Sequence, residues 1–251
     1  MRSAAGRTCA RALLASAGVN VRSDTDARPS YEQRAPHTGR LVAWCVFVGL
    51  LALLAYAARA AGGETEPDAL YRYSTTVGGL IQAGIMLLVT AAIAGFDRSL
   101  LALRRPVSWR RAALLMLAVV VVVFVANAFL EGLVHGGEEQ GLTPDDWQPD
   151  RAGAYVANGA VLVGVVPVVE ELLFRGIGFT LLAPLGPWAA IVGTTVAFGL
   201  AHGLIGGFVQ IAVLGLALAW LRWRVNSVVP GIIIHGAFNL FAIVAAVTVG
   251  D

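Results

Sequence analysis

From Leu41 onward the chain alternates long apolar runs with short polar breaks. A helix needs about 20 predominantly apolar residues to cross the hydrocarbon core of a bilayer. Seven such runs fit, at about Leu41–Ala61, Thr76–Gly95, Ala112–Val134, Ala154–Phe174, Trp188–Leu204, Phe208–Leu221 and Val228–Val249. The fifth and sixth are short, which is compatible with tilted or partly re-entrant segments. Ala183-Pro184-Leu185-Gly186-Pro187 and Gly203–Gly207 punctuate the second half, since proline and glycine end helices. The pattern predicts an all-α fold, a polytopic membrane bundle of about seven transmembrane helices.

Composition agrees. Apolar residues make up 57% of the chain and charged residues 14%, against about 25% charged in a soluble domain, and the mean hydropathy is +0.74. The expected organisation is an Arg-rich, disordered cytoplasmic tail over residues 1–40 followed by a membrane domain over 41–251, with no room for a second folded domain. Cys9 and Cys45 give neither a disulfide framework nor metal-site spacing. All 18 basic residues are Arg, so no lysine is available as Schiff base or general base. All-arginine usage with abundant Ala, Gly and Val points to a GC-rich bacterial genome and hence a bacterial plasma membrane.

The charges alternate by segment. Seven arginines meet three acids in the tail, and the Phe96–Arg111 loop carries Arg98, Arg104, Arg105, Arg110 and Arg111 against Asp97. The loop after the first run holds Glu64, Glu66 and Asp68 against Arg72. The His135–Gly153 loop holds Glu138, Glu139, Asp145, Asp146 and Asp150 against Arg151. Cytoplasmic loops carry the arginine excess, so the N-terminus and the Phe96–Arg111 loop are expected inside and the acidic loops outside. Arg222 and Arg224 read as a second basic, cytoplasmic turn. The expected partners are the lipid bilayer and a membrane-associated protein or peptide, with no nucleic acid.

Three charges break the apolar pattern where they cost most. Val165-Val166-Pro167-Val168-Val169-Glu170-Glu171-Leu172-Leu173-Phe174-Arg175-Gly176 puts two carboxylates and a guanidinium inside a buried run. Each charge at the bilayer centre costs roughly 2.5–3.5 kcal/mol on insertion scales and needs a partner or a cavity. On a helix Glu171 and Arg175 are four residues apart and can pair, which leaves Glu170 free for chemistry. Pro167 removes a backbone donor just before the acids and invites a kink. Downstream, Phe198 and His202 lie one helical turn apart, as do His235 and Asn239. Gly199, Ala201, Gly203, Gly236 and Ala237 beside them would let helices approach closely. The fourth run delivers the acids toward its cytoplasmic end, whereas His202 falls late in the fifth, so either that helix is displaced or the Gly203–Gly207 loop dips back.

Elimination narrows the chemistry. No glutamate follows Glu139 except Glu170 and Glu171, so a His-Glu-x-x-His zinc site is absent. No serine lies between Ser108 and Ser227 and no aspartate between Asp150 and Asp251, which removes an intramembrane serine nucleophile and an aspartyl dyad. A carboxylate, two imidazoles and a carboxamide remain. They suit attack of water on a carbonyl, with Glu as base, His as proton shuttle and Asn as oxyanion donor. They equally resemble a two-His-one-carboxylate metal site.

Glu170-Glu171-x-x-x-Arg175, Phe198-x-x-x-His202 and His235-x-x-x-Asn239, in this order on successive membrane helices, resemble the three motifs of the CPBP family. Those are intramembrane proteases similar to the type II CAAX prenyl endopeptidase and to bacteriocin-processing and self-immunity proteins. The resemblance covers about Ala154 to Val249 and matches every signature position. It implies a helical fold around a polar cavity open to the cytoplasmic side and the membrane. It also implies peptide-bond hydrolysis by water activated on Glu170, with His202 assisting and His235 and Asn239 holding the oxyanion. The candidate catalytic set is therefore Glu170, Glu171, His202, His235 and Asn239, supported by Arg175 and Phe198. Family members are described both as metalloproteases and as metal-independent, so a divalent metal such as zinc on Glu170, His202 and His235, or none, is implied. The competing readings are a non-catalytic immunity or scaffold protein and a proton-relay transporter. The absence of an inverted repeat argues against the last.

Overall fold

The computed structural model describes residues 37–62, 68–134, 139, 144 and 146–248. The tail up to residue 36, Glu64, Glu66, Glu138, Asp145 and Asp251 lie outside them. The described residues form helices joined by short turns, with no strand among them.

Seven helices follow the apolar runs. They are α1 (Thr38–Ala60), α2 (Tyr73–Ala94), α3 (Trp109–Val134), α4 (Pro149–Leu185), α5 (Pro187–Ala201), α6 (Phe208–Val225) and α7 (Val229–Thr248). Six are long and apolar enough to cross a membrane; α5 is a shorter apolar helix. The chain is an integral membrane protein with a polytopic helical fold. Its outer helices expose what a bilayer would cover: Leu53, Leu54, Leu88, Val125 and Phe129 are all more than 60% exposed. Apolar surface of this kind is stable only against lipid or another apolar partner.

The fourth element departs from the expected span. It does not stop at Phe174 but runs on to Leu185, and it is not a regular α-helix. The hydrogen-bond step widens from i→i+4 to i→i+5 over Val161–Val165 and again over Glu171–Gly178. Such π segments are rare and need a local cause. For the first, Pro167 supplies one, because its missing N–H and its ring against the carbonyl four residues back disfavour the regular ladder. The expected kink takes the form of this widened turn. The whole stretch from Glu171 to Leu181 is buried, with Trp44 of α1 donating its indole N–H to Leu173 O at 2.9 Å.

α5 and α6 pack extensively on each other, with α3 outside α6 and α1 against α5. Arg222 does not sit in a solvated turn. It is 1% exposed, its Nε donating to Arg175 O at 3.0 Å and its guanidinium lying over the Phe179 ring at 5.1 Å. Arg224, two residues on and therefore on the opposite face of the helix, is exposed, so only it behaves as the surface basic residue the charge pattern predicts.

Candidate active site

The π segments of α4 set the site. Val166 donates its backbone N–H five residues back, to Val161 O. In that pattern the donor for Leu162 O would be residue 167, and proline has no N–H. The carboxamide of Asn239 on α7 fills the gap, donating from Nδ2 to Leu162 O at 2.7 Å. Next to it α7 presents Gly236, where a Cβ would come within 2.8 Å of Val163 O. Proline on one helix and Gly-x-x-Asn on the other thus lock α7 to α4 in one register. Ala237, by contrast, is exposed and plays no part in this approach.

One residue after Pro167-Val168-Val169, the paired carboxylates point to different places. Glu171 is fully buried and accepts from Arg175 Nη1 at 2.9 Å. Arg175, also fully buried, donates from Nη2 to Gly215 O at 3.0 Å and lies over the Phe198 ring at 4.1 Å. Glu170 instead lines a cavity of about 550 Å³, together with Phe198, His202, His235 and Asn239. Of the candidates, only Glu171 and Arg175 lie behind the wall rather than on it.

His235 lies between the two carboxylates. Its Nε2 lies 3.6 Å from Glu170 Oε2 and its Nδ1 lies 3.4 Å from Glu171 Oε1. Glu171 Oε2 is confined by α7, since a Cβ on Gly231 would come within 2.6 Å of it. His202 is held differently. Its Nδ1 lies 2.7 Å from Phe198 O; a carbonyl only accepts, so Nδ1 is the donor in this contact. The Phe198 ring touches both imidazoles, with centroids 4.6 Å from His202 and 5.8 Å from His235, in edge-on arrangements.

The depth mismatch between Glu170 and His202 is thereby resolved. Because α4 continues to Leu185, Glu170 falls near its middle; because α5 is short, its C-terminal His202 stops at the same level. The turn after it is drawn inward rather than projecting. Gly203, at φ +66°, lies against Ala55 of α1, and Leu204 is buried and accepts from Tyr56 Oη at 3.0 Å.

That turn is fastened by a residue the motifs do not contain. Glu139, between α3 and α4, accepts from Ile205 N at 2.8 Å and Gly207 N at 2.6 Å and pairs with Arg59 Nη2 at 2.6 Å. Burial pushes the Glu139 carboxyl up, but the N–H groups of Gly207 and Ile205 and the Arg59 guanidinium outweigh it and hold it below the ordinary value. Arg59, Glu139 and Gln82 also line the cavity. Only the positions that motif spacing connects are legible in sequence; Glu139 and Gly207 are 68 residues apart.

As arranged, the donors do not fit a metal centre. His235 is turned between two carboxylates, and no set of three His, Cys, Asp or Glu side chains converges to hold a metal ion among the described residues.

Residues 152–241 match the family model of the Type II CAAX prenyl endopeptidase Rce1-like group. This stretch, about a third of the chain, is similar to the Rce1-like family. It includes every motif residue from Glu170 to Asn239 and leaves α1–α3 outside. At the level of the family, the Rce1-like match supports endopeptidase activity on a membrane-associated substrate. No curated protein and no solved structure gives a significant match.

Proposed function

We propose that the protein is an intramembrane endopeptidase that hydrolyses a peptide bond of a membrane-associated or lipid-bearing polypeptide by water activated on Glu170. One observation carries the reading: Glu170, His202, His235 and Asn239 line one cavity while the Rce1-like match spans all four.

In this mechanism Glu170, facing the cavity, takes a proton from water as the oxygen attacks the scissile carbonyl carbon. The carbonyl electron pair moves onto oxygen, and the oxyanion accepts a hydrogen bond from Asn239, whose amide is oriented by its bond to Leu162 O. His235, held by Glu171 and Glu170, places its ring beside the developing charge. Collapse of the tetrahedral adduct breaks the C–N bond. The departing amine takes the proton that Glu170 drew from water, relayed through His202 Nε2, so that Glu170 is regenerated and the products are a carboxylate and an amine. Glu171 and Arg175 are positioning residues: they fix His235 and the register of α4 without touching substrate.

The test is cleavage of a panel of membrane-anchored peptides by purified protein in lipid, wild type against Glu170→Gln. The variant is expected to lose about 10²-fold or more of the rate, the scale of general-base catalysis, with its thermal unfolding unchanged. A folded wild type that cuts no member of a broad panel would sink the enzyme reading in favour of a binding protein. Cleavage is expected to persist in a strong chelator; loss restored by added zinc would reinstate a metal on Glu170, His202 and His235.

A further inference from the structure

The cavity has one closed end and one polar end, and the two carry opposite charge. Below Glu170 the α4 residues from Glu171 to Leu181 are all buried. The loop between α2 and α3 is tied across that end: Val228 donates its N–H to Ala102 O at 3.2 Å and Arg104 donates to Asn226 O at 2.8 Å. A Cβ at Gly176 would come within 2.8 Å of Leu101 O, so α4 and this loop are in close contact there. The rest of the lining comes from the other ends of the helices: Ala58 and Arg59 late in α1, Thr75 and Gln82 early in α2, and Glu139 after α3. Ala58, Thr75 and Gln82 are exposed, and the Arg59 side chain is 37% exposed.

Among the described residues the sealed end carries Arg40, Arg98, Arg104, Arg105, Arg110, Arg111 and Arg224 against Asp97. The polar end carries Asp68, Glu139, Asp146 and Asp150 against Arg59, Arg72 and Arg151. Arginine excess marks the cytoplasmic side. A cavity open to the cytoplasm, as the motif resemblance implies, is incompatible with that rule in this chain, because the arginine-rich end is the closed one.

We infer that the cavity faces the extracytoplasmic side, so that its substrate is a polypeptide already carried across or anchored at the outer leaflet, not a cytosolic prenylated C-terminus. The substrate side rests on the endopeptidase reading; the direction of the cavity does not.

The experiment uses the full chain with both natural cysteines replaced by serine, carrying one new cysteine at the polar end (Thr75→Cys, or Asp150→Cys on the same side) or at the sealed end (Ser108→Cys). Intact bacterial cells expressing each variant are treated with a membrane-impermeant sulfonated maleimide, before and after permeabilisation. Thr75→Cys and Asp150→Cys are expected to react in intact cells, and Ser108→Cys only after permeabilisation. The reverse pattern, or reaction of Ser108→Cys in intact cells, overturns the inference. A second arm adds a water-soluble peptide cut by the purified enzyme to right-side-out and inverted vesicles. Cleavage by right-side-out vesicles is expected; cleavage confined to inverted vesicles overturns the substrate assignment. Failure of the purified enzyme to cut any peptide would remove the endopeptidase reading while the labelling result stood.

Discussion

Glu170 and Glu171 are neighbours in the chain with opposite surroundings, and a single-atom change separates their roles. Glu170 faces the cavity, so replacing it by glutamine changes the chemistry and leaves the packing intact. Glu171 is buried against Arg175 and His235. Removing one partner of a buried ion pair leaves an uncompensated charge, at about 3–5 kcal/mol. Glu171→Gln and Arg175→Leu are therefore expected to lower the unfolding midpoint in detergent markedly and Glu170→Gln not at all. Equal melting of all three variants would show that Glu171 is no more structural than Glu170. Asn239→Ala tests the other anchor. It strands the Leu162 carbonyl, at about 1–3 kcal/mol, and should cost both stability and cleavage. Which of two adjacent glutamates faces the cavity follows from helix geometry once Arg175 is seen four residues after Glu171, so this much was legible from spacing. That His235 sits between both carboxylates was not, because it depends on how α7 crosses α4.

At the scale of the element, α4 shows how one proline shapes a site. Pro167 cannot donate to Leu162 O, the π turn opens over Val161–Val165, and Asn239 enters. Pro167→Ala restores the N–H and favours a regular helix. It is expected to keep or raise thermal stability while lowering the cleavage rate, because Leu162 O then has an intrahelical donor competing with Asn239. An unchanged rate would separate the π turn from function. The apolar runs foretold the helices to within a few residues at most ends, since about 20 apolar residues have few other fates in a bilayer. They misjudged where α4 stops. The fourth run is expected to end at Phe174, ahead of the break at Ala183–Pro187, yet the helix persists to Leu185, and its buried stretch packs against Trp44, Leu101, Phe198 and Ile191.

At the scale of the molecule, the polar end is held by ion pairs outside the spans. Hydrogen bonds from Arg151 and then Gln148 hold the Asp68 carboxyl below its ordinary value, and Glu139 is held low as described. A carboxyl whose folded pKa is depressed contributes stability that is fully present above its unfolded pKa, near 4.3 for Glu, and lost as pH falls through the folded value. Glu139→Gln is therefore expected to melt below wild type at neutral pH, with the gap closing as pH drops beneath about 4. A gap independent of pH would mean that the Glu139 contacts to Ile205 and Gly207 do not depend on its charge. Because that clasp holds the turn carrying His202, cleavage should weaken over the same range.

Taken by itself, the sequence determined the membrane class, the number and approximate ends of the helices, the three motifs and the sign of the charge at each end of the bundle. Each depends on local composition or on spacing within one helix, where geometry is dictated by the 3.6-residue period and by the cost of placing polar groups in lipid. Tertiary structure alone decided that five motif side chains share one cavity, that Glu139 clasps the His202 turn, that Arg222 is buried, and that the arginine-rich end is the sealed one. Those are contacts between residues tens of positions apart, and nothing in local sequence encodes them until helix crossings and the π turns of α4 fix which faces meet.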